Sequence, residues 1–123
     1  MNEKLKDFSF NINIENFILD DVLNRVKNSR LISDLGNKEW KYGTEEAYLR
    51  DLINYWSNNY DWKKQEKEIN KFSHYKIEID NIPIHFIYEK GSNENSKPLI
   101  LTHGWPWTFW DYKKIIEPLA HPE

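Results

Sequence analysis

Pro98-Leu99-Ile100-Leu101-Thr102 is a continuous apolar run that breaks directly into His103-Gly104-Trp105-Pro106. A strand whose successive side chains are all apolar has no face to offer water, so it belongs in a sheet covered on both sides. Helices supply such cover, which places the chain in the α/β class. The residues after the turn agree with this. Thr108 is an N-cap candidate with Asp111 at the N3 position, and Phe109, Tyr112, Ile115, Ile116 and Leu119 form an apolar stripe at helical spacing. Pro118 and His121-Pro122 are expected to end this helix.

Upstream, the hydrophobic period is two. Tyr75, Ile77 and Ile79 alternate with charged residues, and Ile82, Ile84, Phe86 and Tyr88 alternate again. Asp80-Asn81 between them has turn chemistry, so a β-hairpin is predicted, with Pro83 marking an edge or a strand start. Earlier still the period is helical. Asp20 or Asp21 is expected to cap a short helix running to about Ser29, and Thr44 to cap a second with Tyr48, Leu49, Leu52, Ile53 and Trp56 on one face. Asp61 is expected to cap a third, anchored by Trp62, Ile69 and Phe72. Its Lys and Glu residues read as a solvated face with pairs such as Lys64 and Glu68. Residues 31–43 form a loop with two glycines and one Trp. Phe8, Phe10, Ile12 and Ile14 alternate with polar residues and suggest an extended segment with one buried face.

Composition narrows the function. A mean hydropathy of -0.84 would suit a disordered chain, but six Trp, seven Tyr and six Phe supply an aromatic core that disordered segments lack. A net charge of -3 gives no electrostatic reason to bind phosphates, so neither nucleic acid nor an anionic membrane surface is expected as a partner. With no cysteine there is no disulfide, no thiolate metal site and no cysteine nucleophile. The polar start at Met1 to Phe10 lacks the apolar run of a signal peptide, and no stretch is long enough to span a bilayer, so a soluble, cytoplasmic chain is expected. His74 and His121 show no ligand spacing, and no metal or other cofactor is expected. His85 reads as a packed or half-exposed strand residue. Trp40, Trp56 and Trp62 read as core anchors rather than a stacking platform.

The turn is where chemistry is expected. In α/β-hydrolases one oxyanion-hole N–H comes from the loop after an early core strand, and the other from the residue after the nucleophile. Gly104 relieves the backbone of Cβ strain in such a turn. The Trp105-Pro106 bond, which as an X-Pro bond can be cis, can fix it so that the Trp105 N–H points outward. The candidate donor is therefore the backbone of Trp105, with His103, Gly104 and Pro106 shaping the loop.

His103-Gly104-Trp105-Pro106 after a Leu/Ile strand resembles the oxyanion motif of the epoxide hydrolases. The upstream residues are similar to the N-terminal region of the microsomal and juvenile-hormone-type branch of that family. Trp40-Lys41-Tyr42-Gly43 resembles its Trp-x-Tyr-Gly, Trp56 with Tyr60-Asp61-Trp62 its second aromatic cluster, and Ile84-His85-Phe86-Ile87 its Ile-His-Phe-Ile strand. The similarity runs from about Phe8 to about Leu119. One departure is Trp107-Thr108, where relatives often have Gly-Ser. Thr108 keeps the capping role of the Ser.

The resemblance implies an incomplete α/β-hydrolase: a wrapping, mostly helical and aromatic-rich region over residues 1–73, then a hairpin, a buried core strand and a helix over residues 74–123. In the complete enzyme it implies a small hydrophobic epoxide as substrate, hydrolysed to a vicinal diol in detoxification. An Asp nucleophile, a His paired with Asp or Glu, and tyrosines that protonate the epoxide oxygen are all implied downstream of the turn. The glycines at 36, 43, 91 and 104 form no G-x-nucleophile-x-G elbow, so no nucleophile or base is expected in these 123 residues. Two other readings stand beside this one: a non-catalytic interaction module derived from the family, and the N-terminal part of another α/β-hydrolase such as an esterase or a dehalogenase. A doubly apolar strand without parallel neighbours would leave an edge open to self-association.

Overall fold

The structure, a computed structural model, describes residues 3–122; Met1, Asn2 and Glu123 lie outside the described residues. The chain divides into two compact units, one of Met1–Ile12 with Glu66–Glu123 and one of Asn13–Gln65.

In the unit of Asn13–Gln65, α1 (Asn16–Lys27) packs on α2 (Glu46–Asn59). Helix α1 starts about a turn before the expected Asp20 or Asp21. Its N-cap is Glu15, whose side chain makes no capping bond, so the side-chain signal that would have marked the start is missing. Helix α2 is capped differently from expectation as well. Glu45, not Thr44, is the N-cap, and the helix's first N–H, that of Glu46, is satisfied from a distance by the Asp34 carboxylate at 2.9 Å. The Glu46 carboxylate accepts in return from the Asp34 N–H at 3.4 Å. This is the reciprocal logic of a capping box spread over twelve residues.

The loop between these helices is organised by Asn37, which is buried. Its carboxamide oxygen accepts from Tyr42 N–H at 2.8 Å, and its Nδ2 donates to the carbonyls of Gly43 and Thr44 at 3.1 and 3.3 Å. Gly43 sits at φ 121, a conformation that only glycine adopts without strain. The Trp40-Lys41-Tyr42-Gly43 sequence is therefore a turn wound on one asparagine. Trp40 stacks at a tilt on Tyr48, with ring centroids 4.9 Å apart, and Trp56 meets Tyr60 edge-on at 6.2 Å. Trp40 and Trp56 are both over 40% exposed and so are not the core anchors expected of them. Neither α1 nor α2 has a buried residue.

Helix α3 (Trp62–Ile69) begins as expected at Asp61, whose carboxylate accepts from Lys64 N–H at 3.2 Å. Its end belongs to the other unit, where Ile69 is buried. There, β1 (His74–Ile79) and β2 (Ile82–Ile87) form the predicted antiparallel hairpin, one residue longer at its start than the sequence suggests. Asp80 and Asn81 both have positive φ, 52 and 62, the turn geometry whose twist matches two paired strands. Tyr75, Ile77, Ile79, Ile82, Ile84 and Phe86 share one face of the hairpin, and His74, Lys76, His85 and Ile87 the other.

The N-terminal segment docks on this hairpin by hydrogen bonds. Phe8 ends a 3-10 helix over Glu3–Phe8, Ser9 bridges Tyr75, and Phe10 N–H donates to the His74 carbonyl at 3.1 Å. The Asn70 carboxamide then holds both backbone groups of Ile12, at 2.8 and 2.9 Å. The expected extended segment thus begins after Phe8 and is tied by an asparagine rather than a continuous ladder.

Two expectations fail at the C-terminal end. Residues 98–102 belong to no strand; the sheet has two strands only, and Ile100 is 86% exposed. A parallel strand is stable only between neighbours, and among the described residues none is available to pair with it. The single helix expected after Thr108 is a 3-10 helix, Phe109–Lys114, followed by α4 (Ile116–Ala120). Pro118 does not end the helix but lies in the first turn of α4, where its missing N–H would have had no intrahelical partner anyway.

Leu99, Ile100 and Leu101, together with Ile79, Ile82 and Ile84, leave much apolar surface open to water. The chain is expected to self-associate, with an apparent mass in light scattering that rises with protein concentration. A mass fixed at one chain across the concentration series would contradict this.

Candidate functional site

The four expected site residues form one exposed turn. The Trp105-Pro106 bond is cis, and Trp107 N–H donates to the Gly104 carbonyl at 2.8 Å, closing the loop around it. Gly104 acts here through its carbonyl. Its φ is outside the left-handed region and a Cβ would meet nothing within 4 Å, so the expected relief of Cβ strain is not what the turn uses. His103 stands beside the turn with Nδ1 3.5 Å from the Gly104 carbonyl, too long for a firm hydrogen bond. Trp105 is 94% exposed, and its N–H has no acceptor among the described residues.

Two devices fix the base of the turn. Thr108 and Asp111 complete the expected capping box: Thr108 Oγ1 accepts from Trp110 N–H at 3.2 Å, and the Asp111 carboxylate accepts from Thr108 N–H at 2.9 Å. Tyr112 then reaches back, its hydroxyl donating to the Thr102 carbonyl at 2.7 Å. The segment from Thr102 to Tyr112 is thereby a closed loop that carries near its tip the Trp105 N–H, without an acceptor among the described residues. Such a donor can stabilise an oxyanion but cannot attack a carbon or move a proton from water.

The 3-10 helix behind the turn is seated on a cluster that sequence reasoning does not find. His74 is 2% exposed, and its Nδ1 lies 3.0 Å from Nε2 of His85, while its Nε2 lies 2.8 Å from the Ile69 carbonyl. A carbonyl only accepts, so Nε2 of His74 carries the hydrogen and Nδ1 of the neutral ring accepts from His85 Nε2–H. Phe109 stands edge-on to His85 at 4.6 Å and to His74 at 5.9 Å, and Phe10 contacts the same two rings at 5.5 and 6.1 Å. Trp110 meets Phe72 edge-on at 5.9 Å. Burial and the neighbouring His74 imidazole hold His85 below the ordinary histidine value of 6.5. The one available signal is the hairpin register, which puts positions 74 and 85 diagonally on one face.

Among the described residues no group of three or more His, Cys, Asp and Glu side chains could hold a metal ion, and no helix is long and apolar enough to cross a membrane.

Residues 8–112 match the family described as "Epoxide hydrolase N terminus". Epoxide hydrolase 1 of Sus scrofa is 38% identical over 109 residues, covering 85% of this chain and 24% of its own length. Juvenile hormone epoxide hydrolase of Manduca sexta is 33% identical over 118 residues, covering 93% of this chain and 26% of its own length. The solved structure of an enantioselective mutant of the epoxide hydrolase from Aspergillus niger overlays with a TM-score of 0.84 at 26% identity, covering 89% of this chain and 30% of that one. The chain therefore spans about a quarter of the length of the curated relatives it matches.

Proposed function

Because the chain belongs to the epoxide hydrolase N-terminal family and carries part of that α/β-hydrolase fold, we propose that it supplies the oxyanion-hole loop of an epoxide hydrolase, with the Trp105 N–H as the donor. The nucleophile and the base come from sequence beyond these 123 residues. The observation that carries this reading is the Trp105 N–H, which has no acceptor among the described residues and stands on a turn closed by Trp107 to Gly104 and by Tyr112 to Thr102.

In the complete enzyme an Asp carboxylate opens a small hydrophobic epoxide to an alkyl-enzyme ester, and a His-activated water then hydrolyses it to the vicinal diol. Negative charge collects on the ester carbonyl oxygen in that second step. A rigid N–H aimed at this oxygen stabilises the tetrahedral intermediate without reorganising at the moment of reaction. Opening of the epoxide places charge on a different oxygen, so the donor serves hydrolysis and not alkylation. The esterase and dehalogenase alternatives lack a comparable footing, since family and relatives alike are epoxide hydrolases.

In a chimera joining this segment to the remainder of a family member, Pro106→Ala should slow breakdown of the ester by about tenfold or more. Misplacing a donor costs less than the 10²–10³ seen when one is removed. Pre-steady-state kinetics should show the ester forming at the unaltered rate and then persisting. Slower ester formation with unchanged breakdown would make the turn purely structural.

A further inference from the structure

The His74–His85 pair is used by nothing in the mechanism, yet the helix that carries the turn rests on it. Phe109 follows Thr108 directly, and its ring contacts both imidazoles. The turn's other supports, the Thr108–Asp111 capping box and the bond from Tyr112 to Thr102, are internal to the segment. They set its shape but do not place it on the hairpin. That placement comes from Phe109 on the two histidines and Trp110 on Phe72, with the Ser92 N–H donating to the Ala120 carbonyl beyond them.

We propose that His74 and His85 are positioning residues for the Trp105 turn, acting through Phe109, and that they hold it only while at least one of the two imidazoles is uncharged. The hydrogen bond between them needs one ring nitrogen with a free lone pair. A neutral pair has one and a singly protonated pair still has one. A doubly protonated pair has two N–H groups facing each other 3.0 Å apart, and must separate. His74 cannot turn away cheaply, because its other nitrogen is committed to the Ile69 carbonyl in a 2% exposed site. His85 and the Phe109 ring on it are the mobile side of the pair.

The charged groups around the pair are few. On the hairpin, Lys76 is directly opposite His85 in the register and Glu78 is next on the same face. The Ser9–Asn11 segment brings no ionisable side chain, and α3 offers the Ile69 carbonyl. The 3-10 helix carries Asp111, Lys113 and Lys114, of which Asp111 is engaged with Thr108 N–H and Lys113 lies over the Trp110 ring. Burial, and after it His74, pushes His85 down from 6.5. The unfolded chain therefore binds the proton more readily, and the stability contributed by His85 is complete above about pH 6.5 and is lost as pH falls through the lower folded value.

The functional meaning of this coupling rests on the oxyanion reading of Trp105, but the coupling itself can be measured without activity. In NMR spectra of the intact 123-residue chain between about pH 8 and about pH 4, the Trp105 amide and the Phe109 ring resonances should undergo a transition with the second of the pair's two protonations, at a midpoint below 6.5. His85→Gln keeps a donor nitrogen facing His74 but cannot titrate. It should leave the Trp105 amide at its neutral-pH position and abolish the acid transition of both signals. His85→Ala should displace both at every pH, and if that variant does not fold, His85→Gln decides alone. A Trp105 amide that stays still through both imidazole protonations would overturn the proposal, as would a His85→Gln protein that keeps the acid transition. Such a failure would leave the chimera kinetics of Pro106→Ala, and the oxyanion reading they test, untouched.

Discussion

Purified protein of these 123 residues, incubated with styrene oxide, should form no diol above the uncatalysed background. An oxyanion donor acts on charge that exists only after a nucleophile has attacked, so the donor alone has nothing to stabilise. No glycine-framed elbow is present in the sequence to present a nucleophile. His74 is buried with both ring nitrogens engaged, one by His85 and the other by the Ile69 carbonyl. The expected deficit against a complete family enzyme is therefore the whole enzymatic acceleration, about 10⁶-fold or more. Diol formation by homogeneous protein, abolished by a change at His103 or Trp105 alone, would show that this chain carries reactive groups of its own.

Elements whose signals lie within a few residues of one another are legible in the sequence. The hairpin is, because period-two alternation on both sides of Asp80-Asn81 specifies strands and turn together, and both turn residues take positive φ. So are the Asp61 cap of α3 and the Thr108–Asp111 box, in which each side chain meets a backbone N–H two or three residues away. The start of α1 is not, since Glu15 offers no capping bond. Nor is the cap of α2, which comes from Asp34 twelve residues away. The apolar run at Leu99 to Leu101 reads as a buried strand and is not one. Burial and pairing are properties of its neighbours, and among the described residues it has none.

The candidate site shows the same division. Its four residues are found from the turn that comes after an apolar run, and the turn is there. The relief of Cβ strain expected of Gly104 is not, because the glycine serves through its carbonyl bond to Trp107. The histidine pair beneath the turn is hidden because spacing along the chain does not encode it. Only the hairpin register brings residues 74 and 85 onto one face, and only packing adds Phe10 and Phe109.

The most direct test of Trp105 as the donor removes its N–H and nothing else. In a chimera of this segment with the remainder of a family member, replacing Trp105 by its α-hydroxy analogue turns the Gly104–Trp105 amide into an ester and substitutes oxygen for the N–H while keeping the indole. The exchange also weakens the Gly104 carbonyl that accepts from Trp107. The same replacement at Trp107, which deletes that bond's donor, controls for the loss. If Trp105 N–H faces the developing oxyanion, the alkyl-enzyme ester should form at the unaltered rate and break down about 10²–10³-fold more slowly, and the Trp107 control should change breakdown far less. Ester breakdown at the unaltered rate in the Trp105 variant, or equal slowing in the control, would contradict the assignment.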